Sequence, residues 1–172
     1  MQINIKTSGE NQAIVTQLTK KLTGGTKENV IARIALGYSL STGKRFTQQE
    51  FSAYDSQGKE YKDHILFDGQ YRDFYIALIC QAYGITKNDE LIPKYIKQHI
   101  DHGLEKINYL FENNPQYTFF DFLTEYFRKG IDMIEDTPER FDCVENRNQH
   151  ITKSVFSGPI KIKVGYNIVT RE

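Results

Sequence analysis

The chain has 172 residues, 39% of them apolar and 13% aromatic, enough for one cored domain or one domain with an appendage. Basic and acidic groups balance at 22 each, which by itself argues against a strongly nucleic-acid-binding protein. No apolar run reaches the ~18 residues of a membrane span, the start MQINIKTSGE is no signal peptide, and Cys80 and Cys143 lack a CxxC partner. These features predict a cytoplasmic protein with reduced thiols and no membrane partner.

The charges are unevenly spread. Residues 1–45 hold Lys6, Lys20, Lys21, Lys27, Arg33, Lys44 and Arg45 against only Glu10 and Glu28; the remainder holds 15 basic and 20 acidic groups. A basic first quarter fits a surface that faces phosphate. It equally fits a solvated face paired with the acidic remainder.

Residues 1–7 alternate, with Ile3 and Ile5 opposite Gln2, Asn4 and Lys6, the period of a short strand with one buried face. Residues 10–22 predict a helix whose stripe is Ile14, Val15, Leu18 and Leu22, stopped by Gly24-Gly25. Thr26 is a candidate N-cap for the helix at 29–41. That helix is apolar on two faces, with Val30, Ile31, Ile34, Ala35 and Tyr38 on one and Ala32, Leu36 and Leu40 on the other. It must be buried on two sides, against the rest of the chain or against a second copy.

Residues 46–69 read as loop, with Asp55-Ser56-Gln57-Gly58 a turn in which glycine supplies a positive φ. Helices follow at 71–83 and 89–111, the latter with a stripe of Ile92, Ile96, Ile100, Leu104, Ile107 and Phe111. Thr118 and Asp121 make a capping box before a further helix carrying Phe119, Phe122, Leu123, Tyr126, Phe127 and Ile131. Residues 136–150 read as linker, and Ile160, Ile162 and Val164 alternate with lysines as a β-strand. A lone strand needs a partner: the N-terminal strand, another chain, or sequence past residue 172.

Little catalytic chemistry is legible. Ser41-Thr42-Gly43-Lys44-Arg45 fails as a phosphate loop, because the glycine spacing is wrong and arginine stands where the magnesium-binding hydroxyl belongs. His99 and His102 share a helix face, but no third ligand is suggested, so a polar helix face is the reading and no metal or cofactor is expected. No nucleophile–base set appears, and the expectation is a protein that is not an enzyme.

The order strand, helix, helix matches a ribbon-helix-helix unit. There the strands of two chains pair and the second helices pack across a dimer, which leaves Gln2, Asn4 and Lys6 free to reach DNA. The start of the second helix would offer backbone N–H groups to a phosphate.

The segment LTKKLTGGTKENVIARIALGYSL resembles the front of the DndE family, a component of bacterial DNA phosphorothioation systems, which exchange a non-bridging phosphate oxygen for sulfur. YDSQGKEYKDHILFDGQYRDFYIALI and HIDHGLEKI continue the resemblance, over about residues 1–110. It implies a mainly α protein that self-associates as a dimer or tetramer and binds duplex DNA, with a preference for nicks. It would work beside the other phosphorothioation proteins, an ATPase among them, in DNA modification or phage defence, without itself transferring sulfur. Lysines are the expected contacts, at Lys20, Lys21 and Lys27, with Lys6, Lys44 and Arg45 completing the basic set; Arg33 is read as structural. On this reading residues 1–112 form the DndE-like domain, 113–135 an added helix, 136–150 the linker and 151–172 a C-terminal strand segment. That last segment resembles the approach to a HerA- or FtsK-type ATPase, so the alternative is an assembly domain at the front of a translocase, binding protein rather than DNA.

Overall fold

The computed structural model describes residues 3–25 and 27–135, with side chains described to Asp132. In chain order the elements are β1 (Asn4–Lys6), α1 (Gly9–Thr23), α2 (Glu28–Ser41), a 3-10 turn (Gln48–Ser52), β2 (Glu60–Lys62), α3 (Asp63–Phe67), α4 (Arg72–Tyr83), α5 (Ile92–Asn113) and α6 (Phe119–Glu135). The chain divides into two units, Met1–Leu123 and Thr124–Glu172. The expected strand around Ile160 and the linker before it lie outside the described residues.

The mainly α class and the strand-helix-helix start are as expected, but β1 finds its partner within the chain. It pairs antiparallel with β2, Ile5 opposite Tyr61, inside a stretch that reads as loop from sequence. Residues 46–69 have too short an alternation to show as a strand, yet Tyr61 and Ile5 bury on the same face. The tie between the two segments is close. Gly58 donates its N–H to the Thr7 carbonyl at 2.9 Å, and a Cβ on Gly58 would lie 2.0 Å from the Ser8 carbonyl oxygen. Glycine is needed there for that approach and not for a positive φ. Asp55 accepts from the N–H groups of Gly9 and Gln57, both at 2.8 Å, which fixes the turn on the start of α1.

Ser8 caps α1, accepting from the Asn11 N–H, and Gly24 ends it in the left-handed conformation at φ 68. The N-cap position of α2 is occupied by Lys27, without a side-chain bond. Every residue of α2 from Glu28 to Leu40 is buried or half-buried. Its two apolar faces are covered by its own chain, by α5 along one side and by α1 and α3 elsewhere. Arg33 serves structure, as expected: it donates to the Leu66 carbonyl at 2.7 Å and lies against the Tyr71 ring.

α5 begins at Ile92 rather than 89, with Pro93 in its first turn, where a missing N–H costs nothing. Its stripe from Ile92 to Phe111 is buried throughout. Gly103 is the point of nearest approach to α2, since a Cβ there would stand 2.0 Å from the Ala35 carbonyl oxygen and 2.5 Å from its carbon. The capping box at α6 forms in both directions, with Thr118 N–H to Asp121 Oδ2 at 2.8 Å and Asp121 N–H to Thr118 Oγ1 at 3.2 Å.

Gly103→Ala therefore forces two helix backbones apart. Alanine's better helix propensity recovers about 1 kcal/mol, but the clash is with backbone that cannot rotate away. The variant is expected to lose at least about 2 kcal/mol of stability, read from urea-unfolding midpoints. An unchanged midpoint would show that the helices are not held this close.

Candidate nucleic-acid interface

The six basic residues singled out from the sequence do not form one patch. Lys20 and Lys21 stand in the last turn of α1, where their charge also favours the helix C-terminus, and Lys27 begins α2. The turn between them is tight, with the Gly25 N–H reaching back to the Thr19 carbonyl at 3.1 Å. Three exposed ammonium groups are thus gathered on one short reversal of the chain. Among the described residues, Lys20 and Lys27 have no ion pair, and Lys21 lies 4.7 Å over the Phe111 ring with its charge still in solvent. The one acidic group at this turn, Glu28, is bound by Lys59 at 2.9 Å and by the Thr16 hydroxyl at 3.0 Å. Its carboxyl is lowered from the ordinary range chiefly by the Lys59 hydrogen bond. The positive field of the turn is therefore left uncancelled.

Lys6 is exposed on β1, one turn of chain before α1. Asn4, its neighbour on the same face, is engaged by Glu60 at 2.8 Å and is not a free strand residue. Lys44 and Arg45 follow the other end of α2, roughly 20 Å of helix from Lys27. Both are held by the fold. Lys44 pairs with Glu50 at 2.8 Å, and Arg45 donates to the Ala82 carbonyl at 2.8 Å and to the Lys44 carbonyl at 3.0 Å.

Beside Lys44 and Arg45 the structure buries what reads from sequence as a polar helix face. His99 is fully buried and His102 half-buried. The Phe46 N–H donates to Tyr83 Oη at 3.0 Å, which leaves the Tyr83 hydroxyl to donate to His99 Nε2 at 2.7 Å. The His99 proton is then on Nδ1, facing Ser39 Oγ at 2.7 Å, and the Ser39 hydroxyl donates to His102 Nδ1 at 2.8 Å. In this direction each donor in the chain meets an acceptor. The Phe46 ring edge closes on both imidazoles, and Tyr83 stacks on Tyr95 at 3.7 Å. Among the described residues no group of His, Cys, Asp and Glu is placed to hold a metal ion.

A further buried charge had no sequence signal. Asp101 is fully buried and accepts from the Ser8 N–H at 2.9 Å, the Asn11 side chain at 2.8 Å and Lys97 at 2.9 Å. Its partners are up to 93 residues away, beyond the reach of any spacing argument. Gly103 did carry a signal, as a lone glycine inside a strong helical stripe, which calls for a packing reason.

The chain belongs to the DndE family: the family model described as DNA sulphur modification protein DndE matches residues 4–114. Among solved structures it is similar to DndE from Escherichia coli B7A, described as involved in DNA phosphorothioation modification, at 15% identity over 61% of this chain and 96% of that one, with a TM-score of 0.48. No curated protein matches it. Among the described residues no helix is long and apolar enough to cross a membrane.

The histidine chain makes stability depend on pH. Burial, then the charges of His102, Arg45 and Lys44, push His99 down to about 3 from 6.5, and His102 moves in the same direction through burial and Lys106. Both are held neutral in the folded state, while the unfolded chain protonates them below 6.5. The unfolded state therefore binds more protons, and stability is full above that value and falls as the pH drops through it. Between pH 7 and about pH 5, above the ordinary carboxylate range, His99 alone is expected to remove about 2 kcal/mol. Urea midpoints at the two pH values measure this, and His99→Gln should be less stable at pH 7 but visibly flatter with pH.

Proposed function

We propose that this DndE-family chain is a non-catalytic component of a DNA phosphorothioation system that grips the duplex backbone, nicked DNA included, with Lys20, Lys21 and Lys27. The observation that carries the reading is the α1–α2 turn: three exposed cations, with the neighbouring Glu28 already bound by Lys59. Phosphate is the ligand that such a cluster selects, because several ammonium groups on one short arc match the spacing of charges along a nucleic-acid strand. The first turn of α2 supports this, since Lys27 leaves its backbone N–H groups without a side-chain cap. Lys44 and Arg45, tied to Glu50 and to backbone carbonyls, hold the loop after α2 and are not backbone grips in this reading.

A second surface favours self-association. Ile65, Tyr71 and Phe74 are large apolar groups 47%, 41% and 59% exposed around α3 and the start of α4, with Arg33 over the Tyr71 ring. Aromatic residues beside an arginine are what protein interfaces concentrate. The reading assigns this face to a dimer or tetramer of the chain. A motor ATPase is the other partner it would fit, and that is the form the assembly-domain alternative takes.

Duplex binding read by fluorescence anisotropy at several salt concentrations separates the two roles. The backbone reading expects affinity to fall steeply with salt. Replacing Lys20, Lys21 and Lys27 together by glutamine should flatten the logarithmic slope by about 2 to 3 and weaken intact and nicked duplexes alike. An unchanged slope in a folded triple variant would remove these lysines from the interface. Phe74→Ser should leave the slope alone and shift the sedimentation of the chain toward a smaller species.

A further inference from the structure

Both carboxylate oxygens of Glu28, the acid at the α1–α2 turn, are engaged. Oε1 accepts from the Thr16 hydroxyl at 3.0 Å, and Oε2 is bound by Lys59 Nζ at 2.9 Å. The Thr16 contact lays the carboxylate against α1. Lys20 stands one turn further along that side of α1, since residues four apart are neighbours on a helix, and Thr16, Lys20 and Lys21 border one open groove. Lys27 directly precedes Glu28 in the chain. The carboxylate is therefore flanked by two of the phosphate grips. Its side chain is only 25% exposed, so water would replace a lost cation poorly.

Lys59 is not a loose surface lysine. Its backbone is fastened to Thr7, which is fully buried just past the end of β1. The Lys59 N–H donates to Thr7 Oγ1 at 2.9 Å, and the Lys59 carbonyl accepts from the Thr7 N–H at 2.9 Å and from the Thr7 hydroxyl at 3.2 Å. The pairing of β1 with β2 thus sets the root of the side chain that reaches Glu28.

We infer that Lys59 is a positioning residue for the duplex-binding turn: by holding Glu28 it keeps this carboxylate from neutralising Lys20 and Lys27, and it does so without touching the DNA. The inference rests on the duplex-binding reading above and assigns control of that site to a residue outside it. Phosphate and Glu28 compete for the same ammonium groups. With Lys59 in place the acid is satisfied, and phosphate meets cations that are free. Without it, a lysine that turns to Glu28 is one phosphate contact fewer, and one counterion fewer is released on binding.

Duplex anisotropy over a salt series, with the full chain, tests this. Lys59→Ala should lower the logarithmic salt slope by about 1 and weaken binding at ~0.1 M salt by about five- to tenfold, the share of one phosphate contact. Adding Glu28→Gln to Lys59→Ala should return slope and affinity to those of the unaltered chain, although Lys59 is still missing. Lys44→Ala also removes a cation, but it frees Glu50 beyond the far end of α2, so its slope should not change. The bonds of Lys59 to Thr7 are made by its backbone and survive these changes; Lys59→Met, which keeps the apolar stem, gives the same reading should alanine unsettle the fold. A double variant as weak as Lys59→Ala would make Lys59 itself a phosphate contact and overturn the inference. So would a Lys59→Ala chain that binds like the unaltered one, or a Lys44→Ala chain that weakens as much as Lys59→Ala. Each of these leaves the duplex-binding reading standing. No salt-dependent binding by the unaltered chain overturns that reading, and the inference with it.

Discussion

The structure depends on how closely α2 and α5 approach each other. A glycine at 103 brings the α5 backbone onto the carbonyl of Ala35, nearer than any side chain would permit. That contact sets the depth at which α2 sits, and so lets the chain itself pack against both apolar faces of this helix. The same approach brings Ser39, one turn beyond Ala35, between His99 and His102. A hydroxyl at hydrogen-bond distance from two imidazole nitrogens leaves little room for error, and a separation larger by half an ångström would leave buried donors unmatched at a cost of about 1–3 kcal/mol each. Packing and polar order at this crossing are therefore one constraint.

Asp101 does for α1 and β1 what Gly103 does for α2. Buried ion pairs are weak evidence for stability, because desolvation offsets their attraction. Here Lys97 satisfies only one carboxylate oxygen; the other accepts from Ser8 and Asn11, at the junction of β1 and α1. The arrangement fixes where α1 starts and which of its faces points inward. A rotation by one residue would pull Asn11 from the carboxylate and expose Val15. The outward face of α1, including the positions of Lys20 and Lys21, is set by a charge some 80 residues later in the chain.

What was legible in the sequence followed from local periodicity and caps. The stripes of α1 and α5, the Gly24 stop and the Thr118–Asp121 box all act within four residues, and each is found where the pattern places it. What depends on distant pairing was not. β2 is three residues long and is a strand because Ile5 and Tyr61 share a buried face, not through any alternation of its own. The histidines show why a polar residue on a helix cannot be placed from spacing alone: His99 is as buried as Ile96, and Ser39 and Tyr83, from two other helices, make that burial tolerable. For the candidate interface, the basic residues were visible as charges, but their division into four exposed lysines and two groups tied into the fold, Lys44 and Arg45, was not. That division turns on Glu50, Ala82 and Glu28, whose proximity only the fold creates.

The chain has no net charge, and that is compatible with a phosphate-facing turn because of where the acids are spent. Glu28, inside the basic segment, and Glu50, just after it, are each consumed by a lysine, Lys59 for one and Lys44 for the other. Lys59 comes from the β2 side of the molecule, so the fold imports a cation to neutralise the acid at the start of α2 and, among the described residues, leaves Lys20 and Lys27 without an ion pair. Had Glu28 instead paired with Lys27, the turn would present a neutral surface with the same composition. Local potential, not total charge, governs association with a polyanion, since fields between exposed groups are screened within about 8–10 Å at physiological salt. Among the described residues, Lys20 and Lys27 carry no ion pair at this turn, whatever the balance of charge over the whole chain.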